Sequence, residues 1–390
     1  MSLFLRHIAD YLNPLSRATF RTVSPVLAEC VAPSPHVVGV ACHELHKYLL
    51  RWKDEITHLS ILFQDDACME LLWSLPALRR LVHLDMRFAI DEGALNVWFL
   101  ECMPGLESLT IVAHAVTLPR CRYPRLREMM LVATTHIHAA FEEDWFPMLE
   151  TLHLEASLLS LPLGQLPQSL LTVRIVCVTV PISLLEALCV LQRIRHLALE
   201  GCRLTFLPEA LGGLTTLETL SVAHNSMSVY NDFGERDGCM LRIHGLHNLR
   251  HLDVSGNICV ELGPQSIQFP DGLQSLDVRS YSEAYYNDPF FDLASLDQLE
   301  TLYTTKLPTR EDFRQSLQNV KEVVYAPPRP RRMALHRIQE LCRLWNEALP
   351  SVWRNDMFDD AVDIPCSIDG VHLRLRGPLH ERDVPTYHDL

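Results

Sequence analysis

The chain has 390 residues, room for two or more ordinary domains or one elongated array; at 48% hydrophobic and 21% charged it can bury a core and is no disordered polymer. Its formal net charge is −14. Residues 1–55 carry six basic and five acidic side chains and residues 326–390 carry nine and ten, so residues 56–325 hold the excess acid, which repels phosphate backbones and makes nucleic acid an unsuitable general partner. The twelve cysteines are spread singly, with no C-x-x-C pair, and read as reduced small hydrophobes of a cytoplasmic or nuclear protein. No apolar stretch reaches the roughly 18 residues a membrane helix needs, so no membrane partner is expected.

The first element in chain order is "HIADYLNPLSRATFRTVSPVLAEC" (His7–Cys30). It reads as short helices, with Asn13-Pro14 ending one and starting the next. Ile8, Leu12, Leu15, Phe20, Val23 and Leu27 are its apolar set. It resembles an F-box. That family's I-x-x-Y-L-D-P frame, six variable residues and R-x-V-S are matched at Ile8, Tyr11, Leu12, Asn13, Pro14, Arg21, Val23 and Ser24 with every gap kept. Ser16 and Ala18 stand where the family has an acid and a leucine. The resemblance implies that residues 5–28 dock on a Skp-family adaptor of a cullin–RING ubiquitin ligase, with Ile8, Leu12, Pro14, Leu15 and Val23 at the contact. From the residues alone, two other readings stay open: a helical cap over the open end of a repeat array, or an arginine-rich mitochondrial targeting peptide. "CHELHKYLLRWKDEI" (Cys42–Ile56) then predicts a helix. Its H-E-x-H lacks the i, i+4 spacing of a zinc-protease helix, so no metal is expected there.

From Ile56 onward the core L-x-x-L-x-L recurs. Twelve placements begin at Ile56, Leu81, Leu106, Leu126, Leu149, Leu170, Ile194, Leu217, Leu249, Leu273, Leu299 and Val320. The fullest frame, L-x-x-L-x-L-x-x-(N/C)-x-L-x-x-L-P, is filled by Ile194, Leu197, Leu199, Cys202, Leu204, Leu207 and Pro208. Asn225 and Asn257 hold the Cys202 position in the next two good copies, where a buried amide can satisfy backbone groups left unpaired as the chain turns. Val178 and Tyr281 break that position in other copies. The pattern resembles the leucine-rich repeat family over residues 56–326, about 70% of the chain. The resemblance implies an α/β repeat solenoid, an arc of about 12 repeats with parallel strands on the concave face. Residues 1–55 would form a small helical cap or docking segment, and residues 327–390 a mixed C-terminal cap.

In such an arc the x positions of x-L-x-L-x would line the concave face and meet a protein partner. The candidates are His153, Glu155, Arg174, His196, Glu200, His251, Asp253, Asp277, Arg279 and Tyr303. Histidines share one slot at His58, His83, His196 and His251, which reads as a solvated polar face rather than a metal site. Two loops leave the frame: the polar insertion Ser228–Gly245, and "YSEAYYNDPFF" (Tyr281–Phe291). The latter gathers Tyr281, Tyr285, Tyr286, Phe290 and Phe291, ring types enriched at interaction hot spots.

After a proline-rich basic hinge, Ala326–Arg332, "MALHRIQELCRLWNEAL" predicts an amphipathic helix, and "CSIDGVHLRLRG" a hairpin turning at Asp369-Gly370. There is no phosphate loop, no G-x-G-x-x-G after a strand, no G-x-S-x-G and no paired-cysteine zinc frame, so no catalytic residue and no cofactor are expected. The functional expectation is a binding subunit that selects substrates for a ubiquitin ligase. The alternative is a repeat scaffold within a cytoskeletal or ribonucleoprotein assembly.

Overall fold

Alternation decides the architecture. In L-x-L the two leucines point to one side of a strand and the residue between them to the other. One side of every repeat is therefore apolar and must be covered by the next repeat. In the computed structural model the first hydrophobic residue of all twelve placements is buried, from Ile56 to Val320. A strand holds the first leucine position of each L-x-L core, and in β10, β12 and β14 it ends before the second, at Val222, Val254 and Val278. Described in this structure are residues 36–41, 43–64, 66–89, 94–142, 144–161, 166–227, 241–257, 267–279, 293, 296–304, 319–325, 365–368 and 371–375.

The chain divides into two units, Met1–Arg193 and Ile194–Leu390. The described strands of the first are β1 (His36–Val40), β2 (His58–Phe63), β3 (His83–Phe88), β4 (Ala94–Asn96), β5 (Ser108–Thr117), β6 (Glu128–His138), β7 (Thr151–Ser160) and β8 (Thr172–Thr179). All pair parallel, in the order β1-β2-β3-β5-β6-β7-β8, with β4 on β5. The register stacks like on like: Leu59 on Leu84, Leu84 on Leu109, Leu109 on Met129, Met129 on Leu152. α1 (His43–Arg51), two 3-10 helices (Asp66–Ala77 and Trp98–Cys102) and α2 (Ile182–Cys189) form connections between strands. Strand β1, "HVVGV", precedes the first placement of the frame and adds a strand that the leucine pattern does not announce.

Strands β5, β6 and β7 run 10, 11 and 10 residues, well past the L-x-L core. The cause is the slot that holds asparagine in the better repeats. Here it holds His114, Thr134 and Ser157. No amide is available to satisfy a turn, so the chain stays extended and its neighbours' backbone does the pairing. In a strand that slot faces away from the core, and the polar side chains bond across repeats. Thr134 donates to the His114 carbonyl (3.2 Å), and Ser157 donates to the Thr134 carbonyl (2.7 Å). Strand β6 carries one more residue than either neighbour between its two paired stretches, a bulge near Thr134 and Thr135. Thr135 also donates to the His114 carbonyl (2.8 Å).

In the second unit the described strands are β9 (His196–Glu200), β10 (Thr219–Ser221), β11 (Leu241–Arg242), β12 (His251–Asp253), β13 (Ile267–Gln268), β14 (Ser275–Asp277), β15 (Thr301–Thr304), β16 (Glu322–Tyr325), β17 (Pro365–Ile368) and β18 (Val371–Leu375). Strands β9, β10, β12, β14, β15, β16 and β18 pair parallel in that order. Strand β17 pairs antiparallel to β18, so Asp369-Gly370 is the connection the sequence predicts for this hairpin. A separate small sheet pairs β11 with β13. Strands β10 and β12 are short because an asparagine ends each of them. Asn225 and Asn257 are buried under the turn and bonded to backbone of their own and the preceding repeat. One parallel strand per repeat over a shared leucine core makes each unit a leucine-rich repeat solenoid.

Candidate interaction surface

The side of the strands opposite the leucines carries the polar candidates. In the second unit the register aligns Ala198, Ser221, Asp253, Asp277 and Tyr303 in a row across five strands. The residues two positions on, Glu200, Ser255 and Arg279, extend the row into a patch. The contacts knit it together. Ser221 donates to Glu200 Oε1 (3.1 Å), and the Ser255 backbone N–H donates to Asp253 Oδ1 (2.9 Å). Arg279 grips Asp277 through Nε (2.9 Å to either oxygen) and through its terminal nitrogen (2.6 Å). Its guanidinium lies 5.7 Å from the centre of the Tyr303 ring, within cation–π range. Both side chains of the Asp277–Arg279 pair are largely shielded from water, so the bond is strengthened by a low local dielectric.

Asp253 is the least comfortable member. Burial, and then the neighbouring Asp277 charge, push its carboxyl up to about 6, against the Ser255 hydrogen bonds and Arg279, which pull it down. His224 lies beside this patch. Burial, and then Arg279, hold its imidazole below the usual histidine range, although Glu200 and Asp277 act the other way.

His224 was not legible as a site residue from leucine periodicity, yet it leaves a signal in the frame. The residue before the Asn/Cys slot is Gly201, His224 and Gly256 in three successive repeats, and all three have positive φ (63°, 55° and 69°). The turn needs a left-handed residue, which glycine adopts freely and histidine only at a cost. A side chain kept there in spite of strain makes His224 a candidate for function. His224→Gly is therefore expected to melt at the wild-type temperature or above, and His224→Ala to be about 1 kcal/mol less stable than His224→Gly. Equal thermal melts for the two variants would show that the backbone is not strained. Ser255 is an outward x position of its repeat, whereas Ser221 was missed for a simpler reason: it belongs to the patch only once the register is known.

The first unit carries a second, smaller group. His153 and Arg174 pair in register, and His153 Nε2 is 3.6 Å from Glu155 Oε2. His153, with Arg174 adding to it, holds the Glu155 carboxyl below its usual range in spite of burial. The slot histidines differ between the units. His36, His58 and His83 stack ring on ring, at 3.9 and 4.1 Å between centres, and burial with the two flanking rings keeps His58 below its usual pKa. His196 and His251 are instead separated by Thr219, which lies 3.1 Å from His196 Nδ1. Among the described residues no group of three or more His, Cys, Asp or Glu side chains is arranged to hold a metal ion, and no helix is long and apolar enough to cross a membrane.

Ile8, Leu12, Pro14, Leu15 and Val23 lie outside the described residues, as do Tyr281, Tyr285, Tyr286, Phe290 and Phe291. The structure thus brings together Glu200, Asp253, Asp277, Arg279 and Tyr303, and separately His153, Glu155 and Arg174.

No protein-family model matches the chain, and no curated protein matches it. Among solved structures it is similar to a leucine-rich repeat protein of Leptospira interrogans, with 14% identity, a TM-score of 0.35, and coverage of 76% of this chain and 90% of that one. It is similar to TLR13 in complex with ssRNA13, with 13% identity, a TM-score of 0.35 and coverage of 77% and 59%. A third likeness is to the leucine-rich repeat ectodomain of the plant membrane receptor kinase GASSHO1/SCHENGEN3 from Arabidopsis thaliana, in complex with CASPARIAN STRIP INTEGRITY FACTOR 2, with 13% identity, a TM-score of 0.35 and coverage of 75% and 40%. The chain spans less than two thirds of the length of the last two. The fold assignment rests on the strand register above, not on these likenesses.

Proposed function

We propose that this chain is a non-enzymatic protein-interaction module, and that its partner binds the polar strand face of the second unit. The observation that carries the reading is the Asp277–Arg279–Tyr303 group with Asp253 beside it. Charged side chains on a solvent-facing sheet need no such arrangement for stability, whereas a pre-organised, part-buried set gives a partner fixed donors and acceptors at low entropic cost. The F-box-like spacing of Ile8, Tyr11, Leu12, Asn13 and Pro14 supports a finer reading, substrate recognition for a Skp–cullin type ubiquitin ligase. Such a protein would act by proximity, raising the local concentration of its target near the transfer site.

Co-purification with the host's Skp-type adaptor tests the finer reading. The wild-type chain is expected to retain the adaptor, and a Leu12→Asp, Pro14→Ala double variant to lose it. Arg279→Ala should keep the adaptor and lose the target proteins that accompany the wild type. A wild-type chain that fails to hold the adaptor removes the ligase reading and leaves the scaffold alternative.

A further inference from the structure

The connecting segments of the first unit expose an aromatic pair that the strand face does not use. Trp73, on the 3-10 helix Asp66–Ala77, is 70% exposed. Trp98, on the 3-10 helix Trp98–Cys102, is half-buried. Each stands eight residues before the first leucine of the following frame, Leu81 and Leu106. Consecutive repeats stack equivalent positions, so the rings meet, with centres 4.5 Å apart and planes at 44°. Trp98 is further fixed from behind by an edge contact to buried Phe99, at 6.0 Å and 84°. An exposed tryptophan costs solubility and here contributes little to the core, so the pair is a candidate contact surface.

The charges around it say what would cover it. In a 3-10 helix the residues i and i+3 eclipse one another. Glu70 is therefore aligned with Trp73, and Glu101 with Trp98. Both carboxylates are exposed, and among the described residues neither is in an ion pair. A purely apolar partner would bury those two carboxylates unpaired. A second copy of this chain would bring a body with the same net charge of −14 against it. A cationic side chain satisfies both features at once. Tryptophan is the best aromatic face for a cation, and a guanidinium both stacks on a ring and bonds a carboxylate through two N–H groups.

We infer that Trp73 and Trp98, with Glu70 and Glu101, form a docking surface for an arginine-bearing segment of a partner protein. This surface lies on the connecting helices and stands or falls apart from the strand-face reading. The test is fluorescence anisotropy with a labelled peptide of alternating arginine and proline, against the same peptide with citrulline for arginine, on the full chain at fixed low salt. The arginine peptide is expected to bind, and the citrulline peptide to bind at least tenfold more weakly. Trp73→Ala, exposed enough to leave the fold intact by circular dichroism, should weaken the arginine peptide about fivefold or more. Glu70→Gln with Glu101→Gln should weaken it as well. No binding to the wild type, equal binding of the citrulline peptide, or a Trp73→Ala chain that binds like wild type overturns the proposal; the last result would reduce it to diffuse attraction by an acidic body.

Discussion

Asn225→Ala is expected to destabilise the chain by about 3–5 kcal/mol. The side chain is 3% exposed and sits where the repeat turns. Its Oδ1 accepts from the backbone N–H of Cys202 (2.9 Å) and of Leu204 (3.0 Å). Its Nδ2 lies within reach of the carbonyls of Leu199 (2.7 Å), Val222 (2.9 Å) and Ala223 (3.1 Å). Alanine takes the acceptor away from two buried N–H groups and the donor from the Leu199 carbonyl, whereas the carbonyls of Val222 and Ala223 keep Asn257 Nδ2 and the Gly201 N–H. A buried group stripped of its partner costs about 1–3 kcal/mol. The damage reaches past one repeat, because three of these five partners belong to the preceding one, and a solenoid is held by its nearest-neighbour contacts. Asn248 is the control: it is exposed, and its one side-chain bond, to the Thr215 carbonyl (2.7 Å), should be worth under about 1 kcal/mol. Urea unfolding of both variants settles the matter. If Asn225→Ala costs no more than Asn248→Ala, the asparagine is not what closes the turn.

The same asparagines explain what could and could not be read from sequence. The leucine frame was legible because burial enforces it. A hydrophobic residue out of register would face water, so the first residue of every placement lies in the core and a strand runs into every L-x-L. The hairpin at Asp369-Gly370 was legible from its turn residues. The lengths of β5, β6 and β7 were not, since Val178 and Tyr281 mark a departure from asparagine without saying what replaces it. His114, Thr134 and Ser157 acquire a shared role only when neighbouring strands bring them side by side. Strand β1 has no leucine at all and takes its place by pairing with β2. The interaction patch obeys the same limit. Asp253, Asp277, Arg279 and Tyr303 could be picked out as outward x positions, but that Arg279 bonds Asp277 and not Asp253 follows from side-chain geometry. The Trp73–Trp98 pair follows from repeat spacing, once the connecting-helix as well as the strand slots are aligned.

Asp253→Asn is expected to stabilise the chain at pH 7.5 and leave it unchanged near pH 4. Folding pushes the carboxyl up to about 6 from its ordinary 3.8, so the folded state binds its proton more tightly. Between those values the folded chain holds a proton that the unfolded chain has released. Stability from this group is complete below about pH 4 and is lost as pH rises through 6, a loss of about 3 kcal/mol at most. Asparagine carries no charge at any pH and can still accept from the Ser255 N–H, so it removes the penalty and should gain on the order of 1–3 kcal/mol at pH 7.5. Asp277→Asn should do the opposite, because it gives up the bonds from Arg279. Urea unfolding at pH 4.5 and 7.5 separates the two; an Asp253→Asn chain whose midpoint does not rise at the higher pH removes the premise. Asp253 accepts the Ser255 N–H, a bond that asparagine could keep; on the function proposed above, its ionised form has a use when a partner is bound to this face. A cation from that partner would hold Asp253 charged and turn the penalty into binding energy. Asp253→Asn should therefore be more stable and bind its partner less well, and that pairing of effects distinguishes an interaction site from a merely polar surface.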